Sequence, residues 1–452
     1  MNNNPGDGPD EQNPFKGTPF EQLFNGLAGG MAGGMAGGTP GAGGMPDLSA
    51  LMSQMQAFMQ PHDGPVNWAV VTDMARKVSS QEPDPTPTQA QRDAVADAVR
   101  LADHWLDDAT DFPSGVTTTA AWSRAEWIVE TTDVWKRLVE PIAGSAVGAL
   151  GNALPEEARA MAVPLLGMLG KATGAMVASQ VGQGVGALSS EVLGASDIGL
   201  PLGPDGKAAL LPRNVEKFAA ELDVSFDDVL LYLALREAAH QRLFANAKWL
   251  REHLVGAVTA YAQGIEINTA GIEDKLREID PTNPMAMQAA MEGGLFDLAK
   301  SPAQQAALER LEITLALVEG WVDEVVSQAT ETRMPNAAKL QETIRRKRAA
   351  GGPAEQTFAS LVGLELRPRR LRDASTLWGS LRARQGTEGR DGVWMHPDLL
   401  PSASDLDDPL GFREDSATPE SLSEEDFDAG LRELLDGPAD PDTTDGDARP
   451  PQ

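Results

Sequence analysis

The sequence predicts a predominantly α-helical protein with at most a small β-hairpin or sheet, flanked by disordered N- and C-terminal tails. Three observations carry that expectation. From Pro65 onward apolar residues recur at helical spacing, as in the stripe Val95, Val99, Ala102, Trp105 and Leu106. Helix-start signals, Ser123-Arg-Ala-Glu126 and Ser225-Phe-Asp-Asp228, stand directly before such stripes. Both ends leave globular composition: residues 1–46 centre on GLAGGMAGGMAGGTPGAGG, and residues 414–452 are acidic and rich in Pro, Ser and Thr.

Element by element, the chain divides as follows. Residues 1–46 are too rich in glycine to offset the entropy of ordering them. Residues 47–64 form a short amphipathic helix and linker, with Leu48, Leu51, Met52, Met55, Phe58 and Met59 on one face. Residues 65–195 form an N-terminal helical subdomain, in which the helix opened by Ser123 carries Trp127 and Trp135 and is expected to stop near Pro141. Gly170, Gly174, Ala178, Gly182 and Gly186 recur every four residues, a ridge that lets two helix backbones approach closely. Residues 196–413 form a second domain. Its first part, Ile198–Leu202 and Ala208–Pro212 around the turn Gly203-Pro-Asp-Gly206, reads as the one hairpin. The buried helix VLLYLALREAAHQRLF follows, then a helix from near Trp249, a polar loop with ProThrAsnPro at 281–284, a long helix from Pro302 to Ala329, and a basic helix ending at Gly351-Gly352-Pro353. Residues 414–452 form the acidic tail, where Phe427, Leu431, Leu434 and Leu435 could dock on a partner.

Composition narrows the function classes. With 452 residues and 41% apolar content the chain can bury a sizeable core. Cysteine is absent, which excludes disulfides, thiolate nucleophiles and cysteine zinc sites and fits a reducing compartment. The N-terminus has neither the basic start nor the apolar stretch of a secretory signal, and Ala172–Ser190 holds too many Gly, Gln and Ser residues for a membrane span. A cytoplasmic protein without membrane contact is expected. The net charge of −30 argues against nucleic-acid binding. Arg333–Arg390 nevertheless carries 13 basic against five acidic residues, and Arg345-Arg-Lys-Arg348 reads as a solvated helix face or a dock for the acidic tail. A peptide or protein partner remains possible, and the oligomeric state is open.

Five histidines confine any imidazole chemistry to His62, His104, His240, His253 and His396. One of them closes the pattern Arg236-Glu237-Ala-Ala-His240. In the H-E-x-x-H motif two histidines four apart project from one helix face onto one metal ion, and the glutamate takes a proton from the metal-bound water. Here the glutamate and second histidine stand in place, and arginine replaces the first ligand. Downstream, Glu319 and Asp323 are one turn apart in an apolar helix. There a glutamate can act as a third ligand and an aspartate can orient an imidazole.

The phrases REAAHQRLF, VEGWVDEV and GGPAEQTFASLVGLELRPRRLRDASTLW, with the stretches Trp122–Glu140 and Gly182–Leu202, resemble the zincin-like metallopeptidase type 2 family of actinobacteria. Its members are commonly called zinc-dependent metalloproteases or hydrolases. The resemblance spans most of 65–413 and implies a zincin-like domain over 196–413, zinc as cofactor, His240 and Glu319 as metal ligands, Glu237 as general base and Asp323 behind the ligands. It is to the branch in which arginine stands first. Guanidinium stays protonated and offers only donors, so Arg236 cannot ligate a metal. Two protein ligands also fall short of the usual three. The expectation is that Arg236 pairs with Glu319 or Glu237 in place of ordinary zinc binding. Three functions stay open: a divergent hydrolase, a non-catalytic pseudoenzyme that binds a peptide or protein, and a helical scaffold in which the motif is only core.

Overall fold

Local signals start most of the helices. In this computed structural model, which describes residues 64–152, 174, 177–264, 301–349 and 370–413, Asn67 caps α1 (Trp68–Ser79) by accepting from the N–H groups of Ala69 and Val70. Thr88 and Gln91 form a reciprocal capping box at α2 (Gln89–Leu106). Ser123 and Glu126 do the same for α3 (Arg124–Asn152). The amphipathic segment 47–64 lies outside the described residues but for Gly64, and the ProThrAsnPro loop and both tails lie wholly outside them.

Two expectations need correction. Helix α3 does not stop near Pro141 but runs through it. A proline there costs one backbone hydrogen bond and some strain, and burial of Leu138, Val139 and Ala143 around it offsets that cost. The hairpin of 198–202 with 208–212 does not form either. Strand β2 (Lys207–Leu210) pairs in parallel with β1 (Thr118–Ala121), from Thr118 opposite Lys207 to Ala121 opposite Leu210. Its other edge bonds to 193–195, through Ala195 N–H to Ala209 O and Leu211 N–H to Leu193 O. The segment 198–202 contains Gly199 at φ +76° and Pro201, which has no N–H to give a ladder, so it loops instead.

The glycine ridge packs as its spacing suggests. In α4 (177–189) a Cβ on Gly182 would stand 2.8 Å from Val71 O, and one on Gly186 2.7 Å from Ala75 O, so α4 lies directly on the backbone of α1. Beyond α5 (Pro212–Ala220), Ser225 caps α6 (Phe226–Asn246) by accepting from Asp228 N–H. From Val229 to Phe244 every α6 residue except Leu231 is buried, which makes α6 a central helix rather than a surface one.

Helices α2, α7 (Leu250–Gln263) and α8 (Pro302–Thr330) build the rest of the core with α6 and α3. Arg242 sets the position of α6 against α2, donating to Asp103 Oδ1 at 2.9 Å, Asp107 Oδ1 at 2.6 Å and Phe112 O at 2.8 Å. Helix α9 (Ala337–Ala349) crosses near α6 and α8, and α10 (Leu371–Gly392) packs along α8, where a Cβ on Gly320 would collide with Ala374 at 2.5 Å. Two 3-10 turns (Val393–Met395 and Pro397–Leu399) and α11 (Ala403–Asp407) follow. Trp127, Trp135, Trp321, Trp378 and Trp394 are fully buried, each adding a large apolar area to the core. Elements on the two sides of residues 195 and 196 share a core, since β1 and α2 pack on β2 and α6.

Candidate functional site

Helical geometry brings the motif residues to one face. Arg236 and His240 stand four apart on α6, and Glu319 on α8 meets both. Arg236 Nη2 donates to Glu319 Oε2 at 2.6 Å, and His240 Nε2 lies 2.9 Å from Glu319 Oε1. All three residues are at most 4% exposed.

The sequence reading missed a fourth member. Arg348 on α9 also pairs, through Nη1, with Glu319 Oε2. Its Nη2 bonds to Asp197 O and stands 3.6 Å from Asp197 Oδ1. A signal existed. Leu340, Ile344 and Arg348 form one stripe at four-residue steps on α9, and all three are buried, so the arginine continues an apolar face. The run Arg345–Arg348 is thus divided: Arg345 and Arg348 point inward, Arg346 is exposed on Glu342, and the Lys347 ammonium sits over the Phe218 ring.

The charges of Glu319 follow from this surround. Burial by itself would push its carboxyl pKa up. The guanidiniums of Arg348 and Arg236, with His240 beside them, outweigh that and hold it well below the usual carboxylate range. For Arg236, burial works against the charge, and Glu319 chiefly restores it, so the guanidinium stays protonated. His240 has Nδ1 2.8 Å from Arg236 O and Nε2 on the ionised Glu319. Both oxygens can only accept, so each ring nitrogen of His240 faces an acceptor.

Glu237 faces away from this cluster. Its Oε2 accepts from Ser196 N–H at 3.0 Å and its Oε1 from Gln241 Nε2 at 3.0 Å. Burial pushes its pKa up, against the pull of His240 and these hydrogen bonds. The loop that supplies Ser196 also closes the site: a Cβ on Gly194 would stand 3.0 Å from Glu237 Oε2, and one on Gly199 2.9 Å from Glu319 Oε1. Gly199 alone among nearby residues combines a left-handed φ with that close approach.

Asp323 does not face the imidazole, whose Nδ1 is on the Arg236 carbonyl. Its Oδ2 is held by Arg345, by Gln341 Nε2 at 3.0 Å and by Ser375 Oγ at 2.9 Å. It ties α8 to α9 and α10. Tyr232, one turn before Arg236, is 2% exposed; burial raises its pKa strongly, against the pull of the neighbouring Arg236 guanidinium. The other described histidines are elsewhere: His104 near Asp107, His253 against the Trp249 ring, His396 capping a 3-10 turn.

Zinc fits this donor set poorly. His240 and Glu319 supply two donors, and a guanidinium fills the position of a third. A second guanidinium takes the same carboxylate oxygen. His240 Nε2 and Glu319 Oε1 stand at direct hydrogen-bond distance, whereas two ligands of one tetrahedral zinc would be roughly 3.3 Å apart. Among the described residues no three His, Asp or Glu side chains converge as a metal site.

Comparison with known proteins identifies the family and a solved structure of the same fold. The model of the zincin-like metallopeptidase family matches residues 66–412. A solved structure from Chloroflexus aurantiacus, described as "a putative hydrolase with a novel fold", shares the fold with a TM-score of 0.55 and 20% identity, over 78% of this chain and 99% of that one. No curated protein matches. Among the described residues no helix is long and apolar enough to cross a membrane.

Proposed function

The chain belongs to the zincin-like metallopeptidase family, and from that premise we propose that it is a member whose metal site has become a metal-free ionic lock. The observation that carries the reading is the buried contact of Glu319 with both Arg236 and His240 at the motif positions. Zincin hydrolysis needs a water made acidic by a metal, and a base free to take its proton. Arg236 brings a fixed positive charge to the ligand position. Glu237, in the base position, already accepts from Ser196 and Gln241 beneath a closed loop. These contacts favour a non-catalytic protein over a working hydrolase; in that reading the retained fold serves to bind a peptide or protein.

Elemental analysis of the purified full chain tests the proposal, with less than a tenth of an equivalent of zinc expected. One tightly held zinc per chain, lost in His240→Ala, would sink it. The hydrolase reading predicts peptide cleavage that falls with Glu237→Gln; the ionic-lock reading predicts no cleavage for either protein.

A further inference from the structure

We propose that Arg236 and Arg348 act together as a surrogate for the zinc dication, so that this site holds metal out by two residues and not by the motif arginine alone. The inference rests on the metal-free reading and assigns Arg348, outside the motif, an equal part. A zinc ion would bring two positive charges to Glu319. Two guanidiniums bring the same charge in fixed positions, Arg236 from α6 and Arg348 from α9, both onto Oε2. Each is nearly sealed from solvent, with side chains 5% and 9% exposed, so the attraction is little screened. His240 takes the other oxygen, and Gly199 covers that side of the carboxylate. Both oxygens of Glu319 thus already have side-chain partners, and Gly199 lies against one of them.

Arg348 is also held in place independently of Glu319. It bonds to Asp197, and α9 is anchored by Leu340 and Ile344 below and by Arg345 on Asp323. Restoring the motif histidine would therefore not remove the second cation. Arg236→His recreates H-E-x-x-H with Glu319 downstream, a full set of three donors, yet Arg348 would still occupy Oε2.

The experiment compares zinc binding by calorimetry, and the visible absorption of bound cobalt, in four full-length proteins. These are the unsubstituted chain, Arg236→His, Arg236→His/Arg348→Gln and Arg236→His/Arg348→Lys, each with folding checked by circular dichroism. The Gln double variant should bind one zinc about tenfold or more tightly than Arg236→His, with a tetrahedral cobalt spectrum, and the Lys double variant should stay weak. Equal affinity for Arg236→His and the Gln double variant would overturn the proposal, as would a folded Gln double variant that takes no zinc. If that variant does not fold, the single changes decide: Arg236→Gln and Arg348→Gln should lower Tm by similar amounts, and an unchanged Tm for Arg348→Gln overturns the idea. Zinc held by the unsubstituted chain would instead refute the metal-free reading beneath it, and is distinct from any pattern among the variants.

Discussion

Two ion networks are buried against the same helix, α8, and they are built differently. One surrounds Glu319. The other surrounds Glu324, five residues on and roughly 140° around the helix. There Arg390 donates to Asp391 Oδ1 at 2.7 Å, to Glu324 Oε2 at 2.5 Å and to Ala109 O at 2.8 Å. Asp391 accepts further from Thr110 Oγ1 at 2.6 Å, Asp111 N–H at 3.0 Å and Trp321 Nε1 at 2.9 Å. Arg382 reaches Glu324 Oε1, so two cations face two carboxylates. The network ties α8, α10 and the turn after α2 into one knot.

The Glu319 network is less evenly matched. Arg236, Arg348 and His240 crowd one carboxylate, with Asp197 at the margin, and Glu237 is buried at a cost to its charge. A network kept only for stability is expected to satisfy its members, as the Arg390 knot does. Uneven charge matching at a buried cluster is what a site fitted to something other than stability would show.

Substitutions can break or sharpen this contrast, beginning with the largest effect. Arg390→Met leaves Asp391 and Glu324 buried without their shared cation and should lose about 3–5 kcal/mol in urea unfolding. Glu319→Ala strands Arg236, but Arg348 keeps Asp197, so a smaller loss of about 2–3 kcal/mol is expected. If the second loss equalled or exceeded the first, the idea of a mismatched site would fail.

Glu237→Gln should move the other way and add about 1 kcal/mol at neutral pH, read from Tm. The sign follows from its raised folded-state pKa: the stabilising form is the protonated one, fully present below the unfolded pKa and lost as pH rises through the folded value. At neutral pH the native chain bears that loss and glutamine does not. The gain should therefore vanish below about pH 4, where both states are protonated. The smallest effect is on the outer face of α9, where Arg346→Ala should change stability by no more than about 0.5 kcal/mol because its pair with Glu342 is exposed. A larger change would mean that the basic run acts as a unit rather than as inward and outward halves.

Much of the fold was legible in the sequence because helices announce themselves locally. Capping residues at Ser123 and Ser225, and apolar stripes at helical spacing, depend only on neighbours within a few positions. The same locality misled at Pro141, where burial outweighs the breaker, and at 198–212, where β2 found its partner 89 positions upstream in β1. Strand pairing is a long-range choice, and turn signals alone do not make it.

The sequence by itself determined that Arg236, Glu237 and His240 share one helix and that Glu319 lies on another, because i, i+4 spacing fixes a face. It also determined that Arg236 cannot bind a metal, because guanidinium has no lone pair to offer. Only the tertiary structure decided which carboxylate Arg236 meets, that Asp323 belongs to Arg345 rather than to His240, and that Arg348 joins the site at all. Those are matters of how three helices cross, and helix crossing is set by side-chain packing across long sequence separations, which no local pattern encodes.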